Sequence, residues 1–251
     1  MSALRGLAEP VTAQTAGAIH LYVAKSGNDA NECLSISAPC VTIQGAIGKV
    51  PYEKRANVFV SPGTYPERLR IIGDVHHRIE IYGPYDGERC IDPAQVVISA
   101  PGESAIWAQD HATAIFGCLT IGPAQVGIFA RQFVILDFGN VRFDRVGTAV
   151  VLETSVANCG GTIWITSGGL TFAGLSRSHL NVACRANIAP GLSFTSFFQA
   201  EKQSTIDTTG AVFTDTINGK KWILSNSEIG PNCDVPGRGV TQTNYAVAPA
   251  C

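Results

Sequence analysis

No apolar run in this chain approaches the roughly 18–20 residues that a membrane-spanning helix needs, so a membrane span is not expected. Charge is scarce as well. Charged residues make up 15% of the 251-residue chain and the formal net charge is −2, which removes the electrostatic reason to expect a nucleic-acid partner. The cysteines form no C-x-x-C pair, so a zinc ribbon is not expected. The five histidines (20, 76, 77, 111 and 179) show no metal-ligand spacing, and His76-His77 reads as a solvated turn. No metal and no cofactor are expected. The opening segment, MSALRGLAEPVTAQTAGAIHLYV, has one arginine but no continuous apolar core and carries Glu9 and Pro10. It is a poor signal peptide, leaving a removed signal, another export route or release by lysis. A G-x-S-x-G elbow and a phosphate loop are both missing.

What is present is apolar and compact. Hydrophobic residues make up 45% of the chain, enough to argue against disorder and for one large all-β domain or two small ones. The eight cysteines are many for a reducing compartment. Cys33 and Cys40 flank the short polar loop CLSISAPC, where a disulfide is expected. Cys118, Cys159 and Cys184 lie in apolar, strand-like stretches and read as small buried hydrophobes. Cys233 and Cys251 fall in the Pro/Gly-rich tail and are placed to clip it.

Helical signals are confined to VTIQGAIGKVPYEKR, where Ile43, Ala46, Ile47 and Val50 follow the i, i+3, i+4 pattern. Beyond it, short β-branched and aromatic runs alternate with Gly, Asn, Ser and Pro. These runs align in columns. Apolar-x-apolar triplets recur as Leu69–Ile71, Val96–Ile98, Leu119–Ile121, Val141–Phe143, Leu170–Phe172, Leu192–Phe194 and Ala211–Phe213. A second column holds Ile79–Ile81, Ile106–Ala108, Ile128–Ala130, Val150–Leu152, Leu180–Val182 and Trp222–Leu224, and TAIFG, FVILD, GTIWI and STIDT fill the space between.

A period near 22 residues with about three short strands per period predicts a parallel β-helix, whose stacked coils share one core. A β-sandwich is the alternative, but hairpin turns of the Asn-Gly type are nearly absent apart from Asn218-Gly219. The expected fold is all-β: a single right-handed parallel β-helix of about seven coils, with an N-terminal helical cap and an irregular C-terminal tail. Residues 1–20 form an extension, 21–230 the β-helix with its cap near 42–50, and 231–251 the tail. The cap would cover an open sheet edge, which otherwise invites aggregation.

LYVAKSGNDANECLSISAPCVTIQGAIGKV, VFVSPGTYPERLRI and IEIYGP together resemble the N-terminal part of right-handed β-helix proteins of the pectin-lyase-like superfamily, with pectinesterase the nearest flavour. The resemblance covers about residues 21–83, and its T-I-Q-x-A-I and P-G-T-Y-x-E motifs are structural ones. More loosely, residues 100–235 are similar to the coils of phage and prophage tail fibres and tailspikes.

The pectinesterase resemblance implies two aspartates, a glutamine-built anion hole and an orienting arginine. GTAVVLE (147–153) is similar to the family's G-x-A-V-A-L stretch but has Thr148 where the glutamine belongs. LDFGNVRF (136–143) resembles the D-F-I-F-G-N segment with Asp137 at the aspartate, yet it precedes GTAVVLE instead of following it. The Q-D and L-G-R-P-W segments have no counterpart. Polygalacturonase-type N-T-D, D-D and G-H-G motifs are missing too, and the acidic residues are too scattered for a calcium cluster of the pectate-lyase kind.

Asp137, Asp144, Glu153 and Asp207 are candidate acids, Asp137 and Glu153 the foremost, and no pair stands out. Arg142 and Asp144 read as a local ion pair. Strand alternation places Trp107 and Gln109, Phe129 and Arg131, and Val151 and Glu153 outward on adjacent coils, provided that Ile106, Ile128 and Val150 point inward. Aromatic, amide, guanidinium and carboxylate groups in one stripe suit a glycan. A subunit contact or an ordinary exposed face is the bland alternative.

The resulting expectation is a virion or extracellular protein that binds cell-surface or extracellular polysaccharide, as a tail fibre or tailspike would. It is expected to be non-catalytic, homotrimeric and associated with other tail proteins. A secreted polysaccharide lyase or hydrolase and a purely structural assembly module are the alternatives.

Overall fold

The computed structural model describes residues 17–52, 54–73, 78–87, 89–230, 234–238 and 240–243. Among the described residues nineteen strands join in one sheet by parallel pairing, coiled into a right-handed β-helix of about seven turns. Each turn visits three faces. The first face begins with Ala18–Val23, Arg55–Val60 and Arg78–Tyr82 and ends with Thr205–Asp207 and Glu228–Ile229. The second runs from Gly63–Tyr65 to Val212–Phe213. The third runs from Leu69–Ile72 to Val240–Thr243, one rung beyond the point where the sequence pattern fades.

The core follows from stacking like side chains on like. On the third face Leu69, Ile106, Ile128, Val150, Ala173, Phe198 and Trp222 are register partners in succession, all buried. On the second, Tyr65, Ile98, Ile121, Phe143, Ile165 and Ile188 do the same. Neighbouring rungs lie about 4.8 Å apart, so β-branched and aromatic side chains of successive coils touch along the axis. In the later coils Phe143, Phe172, Phe197 and Phe213 pass ring contacts from one turn to the next.

This register corrects part of the column assignment. The second-face partner of Val141–Phe143 is Ile163–Ile165, not Leu170–Phe172. Thr171 belongs to the third face opposite Thr148, and Leu170 is 66% exposed.

The corners are turned by residues in the left-handed region. Cys118, Asn140 and Gly161 (φ 57, 54 and 62°) turn the first face into the second on successive coils. At Gly122 (φ +122°) a Cβ would overlap the Asp144 carbonyl of the next coil, so that corner needs glycine. The corner from third to first face hides a serine ladder. The hydroxyls of Ser155, Ser178, Ser204 and Ser227 accept from the backbone N–H of Val134, Ser155, Ser178 and Ser204 (3.1–3.3 Å). Each donates to a carbonyl of its own coil, that of Glu153, Ser176, Glu201 or Ser225.

Among the described residues there are three disulfides: Cys33–Cys40 within one loop, and Cys90–Cys118 and Cys159–Cys184 across about one coil length. The first is the expected pair. The other two overturn the reading of Cys118, Cys159 and Cys184 as buried thiols. Their partners lie 28 and 25 residues away, and a separation near one coil length brings two residues side by side in a solenoid. Cys233 and Cys251 lie outside the described residues, as do His76 and His77.

The helix Ile43–Ile47 seats Ile43, Ala46 and Ile47 in the core at the open N-terminal end. Thr42 caps it by accepting from Gly45 N (2.9 Å). Asp29 accepts from Val41 N, Thr42 N and the Thr42 hydroxyl. Glu67 takes the helix's free amides, Ile43 N at 2.9 Å and Gln44 N at 2.8 Å. The Gln44 side chain then acts as a surrogate strand, accepting from Arg70 N (2.7 Å) and donating to Arg70 O (3.4 Å). The glutamine of T-I-Q-x-A-I therefore closes a sheet edge, and the glutamate of P-G-T-Y-x-E caps a helix.

Candidate functional site

Two outward columns run along the third face. One carries Arg70, Trp107, Phe129, Val151, Gly174 and Gln199; the other carries Gln109, Arg131, Glu153, Ser176 and Glu201. The structure thus brings Trp107, Gln109, Phe129, Arg131 and Glu153 onto one surface, on consecutive coils.

The N-terminal half of that surface is a bonded cluster. Trp107 stacks on Phe129 with ring centroids 4.6 Å apart. The guanidiniums of Arg68 and Arg131 lie 4.5 and 5.0 Å from the Trp107 ring centre, within cation–π range. Trp107 Nε1 donates to Gln109 Oε1 (2.7 Å), Arg131 Nη2 donates to the same oxygen (3.2 Å), and Gln109 Nε2 donates to Asp110 Oδ2 (2.6 Å). Those bonds fix the amide orientation and lock the arginine over the ring. Arg68 also pairs with Glu103 at 3.5 Å. The Nε atoms of Arg68 and Arg131 are buried without a hydrogen-bond partner.

Beyond Phe129 the surface drops. Val151 and Gly174 floor a depression of about 240 Å³, walled by Glu153, Ser176, Gln199 and Glu201. Glu153 is exposed and makes no side-chain bond among the described residues, whereas Glu201 pairs with Lys202 at 2.9 Å. Two rungs separate the glutamates, about 10 Å between their backbones.

Asp137 stands elsewhere, on the outer side of the first face, so the two foremost candidate acids cannot act as a pair. It accepts from Asn158 Nδ2 (2.7 Å) beside a shallow trough floored by Gly117, Gly139 and Gly160 and closed at one end by Tyr82 and Tyr85. Burial raises the Tyr85 phenol, an effect tempered by its bond with Asn140. One rung before Asp137 the column holds Ile115, and one rung after it Asn158. Glu80, next in line, is committed to Arg78 and to the Tyr82 hydroxyl.

The other acids are tied locally. Asp207 bonds the hydroxyl and backbone N–H of Thr209, which hold its carboxyl below the usual range. Asp144 pairs with Arg145 (3.0 Å) and accepts from Thr166, so the expected Arg142–Asp144 pair is replaced by a neighbour. The corner explains the replacement: the strand ends at Phe143, so Asp144 lies in the turn beside Arg145, which adopts the left-handed conformation (φ 50°). Arg142 instead keeps a buried Nε without a partner.

Among the described residues no group of three His, Cys, Asp or Glu is placed to hold a metal, and no helix is long and apolar enough to cross a membrane. Sequence reasoning missed Arg68, which belongs to no repeat, and Glu201, whose coil is longer than the period. A correct third-face register would have revealed Glu201.

No family model and no curated protein matches the chain. The solved structures contain a match. The fold superposes on the crystal structure of the pectin methylesterase from Aspergillus niger in deglycosylated form, with a TM-score of 0.52 and 14% identity over 96% of this chain and 87% of that one. The chain shares the right-handed parallel β-helix fold of that enzyme; at this identity the likeness concerns fold alone.

Proposed function

We propose that the chain is an extracellular polysaccharide-binding β-helix whose sugar-contact surface is the outer third face. The observation that carries this reading is the Trp107–Phe129–Arg131–Gln109–Arg68 cluster. Phe129 and the guanidiniums hold the indole rigid, so contact costs little side-chain entropy. The part-exposed edge of the aromatic pair supplies apolar surface for a sugar ring, and spare guanidinium N–H groups suit hydroxyls or carboxylates. Columns spaced by one residue per rung favour an extended polymer over a compact metabolite. The three disulfides fit an oxidising environment.

The setting we infer is a tail fibre or tailspike-type protein acting as a homotrimer. Its support is the similarity of residues 100–235 to phage tail β-helices. Affinity electrophoresis against a polysaccharide panel, with Trp107→Ala and Arg131→Ala, tests the surface: each substitution should weaken retardation by about tenfold. Retardation unchanged by both removes the proposal. Light scattering tests the setting, and a monomer counts against it.

One observation favours an enzymatic second reading. Glu153 is unpaired and faces Glu201 across an open depression, a spacing from which side chains reach the roughly 6.5–9.5 Å carboxyl separation of inverting glycosidases. Release of reducing ends that Glu153→Gln abolishes would establish it.

A further inference from the structure

We infer that the corner between the third and first faces is a second binding groove, for an anionic (carboxylated or sulfated) oligosaccharide. It is separate from the third-face surface and does not depend on that surface binding anything. Two adjoining concavities lie here, about 660 Å³ beside Arg177, Lys202, Gln203 and Asn226, and about 400 Å³ running on past Phe133, Ile135 and Val156. One wall is the stack of left-handed corner residues, continued coil to coil by backbone bonds such as Phe133 N to Thr154 O and Gln203 N to Asn226 O. The opposite wall is the start of each first-face strand, Ile135, Val156, His179 and Thr205 in register. The serine ladder lies beneath.

The two ends differ in chemistry. At the N-terminal end Phe133 is 62% exposed, with His111 stacked on it at 5.2 Å, and Ile135 (48%) and Val156 (40%) continue an uncovered apolar strip. A large phenyl group held outward in the left-handed conformation (φ 65°) contributes nothing to the core. It is well exposed, whereas the indole of Trp107 is half-buried beside Phe129 and two guanidiniums. Two rungs on, about 10 Å along the axis, Arg177 projects into the groove and makes no ion pair among the described residues. Lys202 and His179 add donors beside it, although Lys202 is shared with Glu201, and Glu228, bonded by Thr205, closes the far end. An apolar platform followed by an unpaired guanidinium matches a sugar ring followed by an anionic group. A neutral glycan would leave the guanidinium unused, and a small anion would leave the platform unused.

The test is isothermal titration with three hexasaccharides: an oligogalacturonate, a heparin-derived one and neutral maltohexaose. The proposal expects one or both anionic probes to bind, with affinity falling as salt rises, and maltohexaose not to bind at this groove. Phe133→Ala and Arg177→Gln should each weaken anionic binding about tenfold. Both side chains are exposed, and an unchanged urea midpoint confirms folding; Lys202→Gln substitutes for Arg177→Gln if that midpoint moves. Oligogalacturonate alone binding assigns a carboxylated ligand, and heparin alone a sulfated one. Anionic binding that survives both groove substitutions, or no binding of either anionic probe, overturns the groove. Only the response of polysaccharide retardation to Trp107→Ala and Arg131→Ala bears on the third face.

Discussion

Asp29 and Glu67 clamp the same short helix, yet acid should act on them in opposite directions. Glu67 is buried enough that desolvation raises its carboxyl despite the amides of Gln44 and Ile43. For Asp29, burial also pushes upward, but the Thr42 hydroxyl and the N–H groups of Thr42 and Val41 outweigh it and hold the carboxyl low. A group with a raised folded pKa binds its proton more tightly when folded, so its contribution is fully present in acid and falls as pH rises through the window above the ordinary glutamate value of 4.5. A group with a lowered folded pKa contributes above the ordinary aspartate value of 3.8 and loses that contribution as pH falls further.

Two charge-assisted amide bonds at 2.9 and 2.8 Å meet Glu67. Bonds to charged groups contribute about 1.5–3 kcal/mol each, and the desolvation that raises the carboxyl offsets part of that. Glu67→Ala should therefore cost about 2 kcal/mol at neutral pH, and Glu67→Gln, which keeps one acceptor, about 1 kcal/mol. Asp29→Asn loses a charge from three bonds at a partly exposed site, and about 1 kcal/mol is expected. Urea midpoints measured at pH 7 and near pH 3 give the test. The gap between wild type and Glu67→Gln should widen in acid, while the gap between wild type and Asp29→Asn narrows. If both gaps move the same way, the account of the cap is wrong.

Two further perturbations probe the column itself. Ser178→Ala leaves the buried Ser155 N–H without an acceptor, an expected loss of about 1–3 kcal/mol; a urea midpoint equal to wild type would mean the ladder is ornamental. Replacing Cys159 and Cys184 together by alanine reopens a 25-residue loop, and replacing Cys33 and Cys40 reopens one of 7 residues. Chain entropy predicts losses of roughly 3–4 and about 2 kcal/mol respectively. A larger loss for the short loop sinks the entropic account.

The β-helix was legible because its signal is repetitive. Between Ile106 and Leu152 the coils keep a constant length, so Gln109 and Arg131, 22 residues apart, meet as the alternation implies. The signal fails where coil length changes. Apolar-x-apolar reads the same on all three faces, so nothing local distinguishes Leu170–Phe172 from Ile163–Ile165 once the Gly160–Gly161 corner shifts the register. The same drift hid Glu201, which lies 25 residues beyond Ser176. It also hid the cysteine pairs, whose partners become neighbours only through stacking. The corner groove was illegible for a different reason: its residues sit in turns, where pattern reading assigns polarity but no direction.

Stacking also sets what chemistry this column can host. Acid–base hydrolysis needs two carboxyls facing one bond, and a β-helix supplies them only when acidic residues fall at matching register positions on near coils. Around Asp137 the matching positions hold Ile115 and Asn158, so that column offers one carboxylate and an amide that restrains it. Around Glu153 the matching positions hold Arg131 and Ser176, with a second glutamate only two rungs away and already paired to a lysine. Neither arrangement offers two acids at adjacent register positions. The groups that could grip a polymer, Trp107, Phe129 and Arg131 on the third face and Phe133 and Arg177 at the corner, recur along the axis as a polymer does. For that reason the proposed binding role asks less of this register than bond cleavage would.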